Sequence, residues 1–487
     1  MDAMLCDELL QEIFLRLQSS SSPTSSSLPV SLVSKRWLHL YRTSKTSLSL
    51  RFTPDNSMIP SLSSVLSHYP FISSLSILLS SSTENPTTTK TITLLTDQVI
   101  FVVSSSCSIL KHLRFLPLPV SQSALLYLSR TCNLITSLTV SLSRPLVFNW
   151  VVSFSCLKEL SVYVCDGGSD DDVEDETYVN RESGCCLDDE ELDAELSLES
   201  LCLTGIGLDD WGVGWLWRSC KKLMKLKLKS CGSVGDGGSF LSFARCLQGL
   251  QEVELRACRS IVDGVLLKVA ENCSYLNSLL VYDGGSREGL LQFISHCRCD
   301  LQKLDFRLPL DLNNDHLSAV AVSFRGLSTL RLQSCCLLTG DGLKTLGISM
   351  SSRLEELALI NCDVVERESG LLATLGQHLR QLRRLDLSHN EMLLDKEFIS
   401  MLVSSQYLIE LKLRGCKGLT GMTMVSMYKN CRRLESVDIV HCGGIGAEAV
   451  EKFVLNSPRL RRLQVEESKL TDVAWTWASN KFIEVGA

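Results

Sequence analysis

The chain contains 21 cysteines, a residue type that can bind metals, attack as a nucleophile or form disulfides. Structural zinc sites usually use Cys-x-x-Cys pairs, and the sequence contains none. The adjacent pair Cys185-Cys186 and the pair Cys297-x-Cys299 have other spacings. We therefore expect no structural metal site.

Sequence motifs of common enzymes are missing as well. There is no Gly-x-x-x-x-Gly-Lys-Ser/Thr loop, no His-Glu-x-x-His pair and no Gly-x-Ser-x-Gly elbow. The eight histidines are scattered along the chain. We therefore expect a protein that performs no catalysis and carries no cofactor.

The N-terminus carries Asp2, Asp7 and Glu8 where a secretory signal would have a basic start and an apolar run. The most apolar stretch, residues 99–118, is interrupted by charged residues, so we expect no membrane span. Disulfides persist mainly in oxidising compartments, which predicts reduced thiols in a protein of the cytoplasm or the nucleus. The formal net charge of −7 gives no indication of nucleic-acid binding.

Ten of the 21 cysteines are explained by a repeat, Leu-x-x-Leu-x-Leu-x-x-Cys, which returns about every 26 residues. Three of the ten, Cys220, Cys273 and Cys431, lie three residues before the first leucine of a copy. Successive copies start at residues 157, 198, 223, 250, 276, 301, 327, 354, 382, 408, 434 and 460. The ninth position is cysteine in seven copies: Cys165, Cys231, Cys258, Cys335, Cys362, Cys416 and Cys442. Asn390 stands there once. Cysteine at this position is interpreted as a small buried residue in a tight turn.

Each copy predicts a short strand followed by a helix. The Leu-x-Leu alternation has the period of a strand, and the residues after the cysteine recur at helical spacing, as at Val265, Leu266 and Val269. Weaker copies start at Ile72, Leu110 and Ile135. The predicted fold class is α/β: a solenoid with parallel strands inside and helices outside.

One spacing of 41 residues contains a strongly acidic run. Residues 166–195 include fourteen acidic residues and one basic residue, Arg181. Such a run repels itself and cannot bury a face, so it is interpreted as a disordered surface insertion, with docking to a basic partner as the alternative.

The first fifty residues follow another pattern. Leu9, Leu10, Ile13, Phe14 and Leu17 form one apolar stripe, which predicts an amphipathic helix. A second amphipathic segment follows over residues 30–40. So few residues cannot build a stable core of their own, so we expect them to dock on something.

The cysteine-containing copies resemble the cysteine subclass of leucine-rich repeats, and the N-terminal segments resemble an F-box, in a plant-like domain order. The F-box family opens with Leu-Pro-x-Glu-x-Leu and later has Ser-Leu-Val-Cys-Lys-Arg-Trp; this chain has residues 5–10 and 31–37 in those places. Cys6 replaces the proline, Ser34 replaces the cysteine, and a serine-rich linker at 19–27 lengthens the first connection. Loss of the proline weakens the rigid start of the first helix.

The resemblance implies the substrate receptor of an SCF-type ubiquitin ligase, with a Skp-type adaptor, a cullin behind it, and a protein target as partners. By carry-over, the adaptor-facing residues are Leu5, Leu9, Ile13, Leu17, Leu32, Val33 and Trp37. Leu10 and Phe14 are assigned to internal packing. The implied domains are 1–50 (F-box-like), 51–156 (diverged repeats), 157–470 (solenoid) and 471–487 (a cap that includes Trp475 and Trp477).

Strand alternation sends positions three, five and seven of each copy away from the core. The candidate substrate-facing residues are Lys225, Lys227, Lys229, Arg256, Leu280, Tyr282, Arg307, Arg331 and Ile360. Apolar residues there, including Ala358, are expected to be exposed unless a partner covers them. Positions three, five and seven of all copies also include acidic residues such as Glu252, Asp305 and Glu410. The mixed signs favour a protein partner.

Three alternatives to the ligase receptor remain open. The N-terminal helices could only cap the array of an interaction scaffold. The solenoid could bind a small molecule, as in some plant hormone receptors with this domain order. A reactive cysteine could make the chain an enzyme.

Overall fold

The computed structural model describes residues 5–20, 32–52, 58–79, 89–165, 194–235 and 240–486. The chain forms two compact units, Met1–Leu223 with Ser233–Cys246, and Met224–Gly232 with Leu247–Ala487. Most of the serine-rich linker and of the acidic run lies outside the described residues. The division between the units falls inside the predicted 157–470 solenoid.

The first unit begins with two helices and continues as strands separated by helical segments. Its helices are α1 (Asp7–Ser20), α2 (Lys35–Ser44), α3 (Met58–Ser67), α4 (Thr89–Ser106), α5 (Gln122–Thr131), α6 (Val213–Ser219) and α7 (Leu241–Ala244). Its strands are β1 (Ser47–Phe52), β2 (Ser74–Leu79), β3 (His112–Pro119), β4 (Ser137–Ser143), β5 (Glu159–Cys165) and β6 (Ser200–Thr204). Each strand pairs in parallel with the next.

The second unit repeats the same strand and helix. Its strands are β7 (Lys225–Lys229), β8 (Glu252–Arg256), β9 (Ser278–Tyr282), β10 (Lys303–Arg307), β11 (Thr329–Gln333), β12 (Glu356–Ile360), β13 (Arg384–Asp386), β14 (Glu410–Lys412), β15 (Ser436–Asp438), β16 (Arg462–Gln464) and β17 (Glu484–Gly486). Its helices are α8 (Val262–Asn272), α9 (Arg287–His296), α10 (Asn314–Ser323), α11 (Gly340–Ser349), α12 (Asp363–Arg367), α13 (Leu371–His378), α14 (Asp395–Leu402), α15 (Gly421–Asn430), α16 (Ala447–Asn456) and α17 (Asp472–Asn480). These strands also pair in parallel, each with the next.

Both units are therefore leucine-rich-repeat arrays, and the predicted fold class is confirmed. The strands form because their side chains alternate between the core and a face that we call the open face, which carries positions three, five and seven of each repeat. In β7 and β8, for example, Leu226 and Val253 are buried directly beside each other. Their neighbours Lys225 and Lys227 lie on the open face.

Strands β7–β15 of the second unit are each followed, at position eight of the repeat, by a residue with left-handed backbone geometry. At position eight φ is +48° at Ser230, +51° at Ala257, +63° at His389 and +75° at Gly415. A strand cannot continue through this conformation, so the chain turns there. The ninth residue, the repeat cysteine, is brought into the core by that turn.

Buried hydrogen bonds connect the ninth residue of a repeat to the preceding repeat. The thiol of Cys416 donates to the carbonyl of Leu387 at 3.1 Å, and that of Cys442 donates to Leu413 at 3.0 Å. Asn390 makes the connection with an amide: its Oδ1 accepts from the Cys362 N–H at 2.9 Å. Its Nδ2 donates to the carbonyls of Leu359 and Leu387, both at 2.8 Å. These groups would otherwise be buried without partners.

In the part of the chain that the structure describes, no helix combines the length and apolar character that a membrane span requires.

We expect Asn390→Ala to lower the free energy of unfolding by about 3 kcal/mol, because it removes three buried hydrogen bonds and takes the Asn390 partner from the Cys362 N–H and the Leu359 carbonyl. Asn390→Cys places the residue of the neighbouring repeats at this position and should lose clearly less. Urea unfolding followed by circular dichroism measures both. Equal losses for the two variants would show that the asparagine does not act through these bonds.

Candidate interaction surfaces

Helices α1 and α2 pack on a small core of their own. Leu10, Phe14, Leu40 and Tyr41 are buried together, and Trp37 packs against them. The Phe14 ring meets the rings of Trp37 and Tyr41 edge to face, with centroids 5.7 and 6.0 Å away. Leu10 and Phe14 thus serve internal packing, as the sequence predicts.

Polar contacts fix the starts of both helices. The Arg36 guanidinium binds the Asp7 carboxylate, with Nε and Oδ1 2.9 Å apart, and donates to the carbonyl of Leu5 at 2.8 Å. Ser34 caps α2: its hydroxyl accepts from the Trp37 N–H at 3.2 Å. Arg36 therefore holds the start of α1, and Ser34 caps α2.

Five of the exposed apolar side chains of this helix pair match the predicted adaptor-facing residues, and we call them the N-terminal apolar surface: Leu5, Leu9, Ile13, Leu32 and Val33. Leu9 is 54% exposed, Ile13 42% and Leu32 80%. The side chain of Leu17 is outside the described part of the structure. Trp37 is half-buried against Phe14 instead of exposed, and its indole N–H has no hydrogen-bond partner.

Lys225, Lys227 and Lys229 form a column on β7 that we call the lysine column. It lies beside the carboxylates of β8. Lys225 Nζ lies 3.2 Å from Glu252 and Lys227 Nζ lies 3.1 Å from Glu254, which Arg256 also binds. Burial alone would raise the pKa of Glu254, but hydrogen bonds from Arg256 and Lys227, together with their charges, lower it. The positive charge of this column is therefore largely compensated within the sheet.

The expectation of exposed apolar residues on β12 is wrong. Ile360 is only 4% exposed and Ala358 is fully buried, while Leu280 and Tyr282 on β9 are half-buried. The register aligns Arg331, Ala358 and Asp386 on three adjacent strands. Arg331 Nη2 lies 3.2 Å from Asp386 Oδ2, so the ion pair passes over the small side chain of Ala358.

A concavity of about 450 Å³ lies on the open face over β11–β16. Its lining is mostly polar and includes Arg331, Ile360, Asp386, Arg414, Asp438 and Gln464. Of the predicted substrate-facing residues, Arg331 and Ile360 belong to it. The other seven do not line it: Lys225, Lys227, Lys229, Arg256, Leu280, Tyr282 and Arg307. Arg307 binds Asp305 at 2.6 Å, and this hydrogen bond raises its pKa.

Sequence reasoning named neither Arg414 nor the two buried carboxylates, Asp386 and Asp438, as site residues. Arg414 Nε binds Asp438 Oδ2 at 3.0 Å. The signal that could have found these residues is a charged residue at position five or seven of consecutive repeats. Three residues carry that signal: Asp386, Arg414 and Asp438. They belong to consecutive repeats, whose strands β13, β14 and β15 pair in order.

The described cysteines are free thiols, and no cluster of three metal-binding side chains occurs among the described residues. Burial raises the pKa of Cys107 to about 11 and that of Cys220 to about 12. A raised pKa keeps these thiols protonated and poorly nucleophilic at neutral pH. Trp475 and Trp477, predicted to cover the open end of the array, are each partly exposed.

No model of a known protein family matches the chain. Among solved structures, a chain of the Rad7 and Elc1 complex from yeast is similar at 14% identity and a TM-score of 0.47, over 81% of this chain and 90% of that one. An internalin from Listeria monocytogenes is similar at 13% identity and a TM-score of 0.34, over 83% of this chain and 98% of that one. Neither similarity assigns a partner or an activity to this chain.

We expect Phe14→Ala to disrupt the helix pair, because truncating a buried aromatic side chain costs about 3 to 5 kcal/mol. Ile13→Ala, one position away on the exposed side, should change stability by less than about 1 kcal/mol. Limited proteolysis within residues 5–44 would report the difference as faster cleavage of the Phe14 variant alone. Equal cleavage of both variants would contradict the described packing.

Glu254 should contribute stability that depends on pH. Because its folded pKa is lowered below 4.5, its contribution is present at neutral pH and is lost as the pH falls through the folded pKa. Glu254→Gln should therefore be less stable than the wild type at about pH 7, and the difference should shrink towards about pH 3. The control is Glu252→Gln, whose carboxylate is more exposed and should matter less at neutral pH. Urea midpoints across this range test the trend, and a constant difference would contradict it.

Proposed function

We propose that this chain is the non-catalytic, substrate-recognising subunit of an SCF-type ubiquitin ligase. In this proposal the N-terminal apolar surface binds a Skp-type adaptor, which connects the chain to a cullin. The open face of the repeats binds a protein target and holds it near the ubiquitin-loaded enzyme. The chain acts by proximity and breaks no bond itself.

The observation that carries the proposal is the division of apolar residues in helix α1. Leu10 and Phe14 supply the core with α2, whereas Leu9 and Ile13 remain exposed one helical turn apart. Residues four apart lie on the same side of a helix, so Leu9 and Ile13 form one line on α1, and Leu5 lies just before the start of the helix. An exposed apolar line of this kind is typical of a helix that packs into a groove of a partner.

The second part of the surface supports the same partner. Leu32 and Val33 precede the Ser34 cap and are strongly exposed. The Arg36 contacts with Asp7 and Leu5 hold this segment against the start of α1. The apolar residues of both segments are thus available to one adaptor, in agreement with the F-box resemblance.

The adaptor contact can be tested without disturbing the internal core. Leu9→Asp with Ile13→Asp should reduce recovery of a Skp-type adaptor by about tenfold or more, because charges replace two apolar contacts. Leu15→Asp is the matched control: Leu15 is also exposed on α1, about 140° around the helix from the midline between Leu9 and Ile13.

The measurement is co-purification of adaptor and cullin with the full chain after co-expression. Circular dichroism confirms that each variant keeps its helices. Recovery of the adaptor with the double variant at the wild-type level would refute the proposed contact. Equal loss with Leu15→Asp would show that the effect is not specific to this surface.

A further inference from the structure

The concavity over β11–β16 contains cationic donors that the protein itself does not use fully. Arg331 illustrates this. Its Nη2 binds Asp386 Oδ2 at 3.2 Å, whereas its Nε is buried and has no hydrogen-bond partner. Asp305, the other nearby carboxylate, is 4.0 Å from Nε, which is too long for a hydrogen bond. A buried N–H of a charged group without an acceptor is unfavourable, so the protein leaves part of the hydrogen-bonding capacity of this guanidinium unsatisfied.

Arg414 lies on the same open face and is oriented in a similar way. Its Nε binds Asp438 Oδ2 at 3.0 Å, and its Nη2 makes a long contact of 3.4 Å with Gln464 Oε1. A guanidinium has five N–H donors in a fixed planar fork, so donors remain after these contacts.

The two carboxylates are themselves held in place. Asp386 Oδ1 accepts from the Ser388 N–H and Asp438 Oδ1 accepts from the Val440 N–H, both at 3.1 Å. Both aspartates are buried. Each therefore fixes one arginine in the sheet without neutralising all of its donors.

The side chains that line the concavity carry a small excess of positive charge. Four cationic side chains line the concavity, at positions 331, 412, 414 and 462, against three carboxylates, at 386, 410 and 438. Lys412 binds Glu410 at 2.9 Å, and Arg462 binds Glu484. The carboxylates that hold Arg331 and Arg414 are buried, whereas those that bind Lys412 and Arg462 are more exposed. Arg331 and Arg414 are therefore the two cations of the lining that are fixed in place.

We propose that Arg331 and Arg414 bind a side-chain carboxylate of an acidic peptide segment in the protein target. This inference deepens the proposed function, because it names the chemistry of the target and the part of the open face that receives it. Arginine suits carboxylate binding through two parallel N–H···O contacts. The lysine column on β7 is the less suitable site, because Lys225 and Lys227 each face a glutamate of the next strand.

The test uses the full chain and a fluorescein-labelled peptide of alternating glutamate and serine, with binding followed by fluorescence anisotropy. Arg331→Met and Arg414→Met should each weaken binding by about tenfold, the effect of losing a hydrogen bond to a charged group. Lys225→Met removes the same charge from the same face and should change the affinity less than about twofold.

Three outcomes would overturn the proposal. Equal binding of a peptide with glutamine in place of glutamate would exclude carboxylate recognition. Equal weakening by Lys225→Met would show nonspecific attraction. Displacement of the peptide by inorganic phosphate at an equal concentration would identify a small-anion site instead.

A further variant tests the site independently in case the arginine variants misfold. Ser436 lines the concavity, so Ser436→Trp should fill it and weaken peptide binding while both arginines remain. Thermal unfolding monitors the fold of each variant. Peptide binding is measured without adaptor, and adaptor recovery is measured without peptide. Failure of this inference is therefore distinguishable from failure of the proposed ligase function.

Discussion

The whole structure depends on one constraint: no repeat can bury its own apolar residues, so every strand needs a neighbour in register. In β13–β16 the strands are only three residues long, yet they remain paired because Leu385, Leu411, Val437 and Leu463 stack in one buried column. A polar residue in this column would break two interfaces at once. Variation is therefore tolerated mainly on the open face, where a partner can be recognised.

The N-terminal helix pair meets the same constraint with fewer residues. Its core consists of Leu10, Phe14, Leu40, Tyr41 and the flank of Trp37, which is little apolar surface for two helices. The five residues of the N-terminal apolar surface stay exposed. Exposure of apolar side chains to water is unfavourable in free energy. These residues are therefore suited to a partner that covers them.

The period of the repeat predicts the strands β5–β16, because each needs two buried leucine-like residues at fixed spacing. It does not predict β1 and β17 at the ends of the array, where the strand residues lack the full pattern, as at Leu48 and Val485. It also fails at Ile360, since the exposure of an open-face residue depends on its neighbours across the sheet. Arg331 and Asp386 are 55 residues apart in sequence, and only the register brings them together.

This dependence on register explains why a count of charges is a poor guide to the site. The lysine column is the most conspicuous cationic feature of the sequence, yet carboxylates of the next strand face two of its members. Arg331 and Arg414 also have acidic partners, but those partners are buried and orient the guanidinium without saturating it. An arginine held in this way loses little side-chain entropy when it binds, so its remaining donors can contribute more to affinity. In the proposed acidic-peptide site, selection therefore depends on preorganised donors and not on net charge.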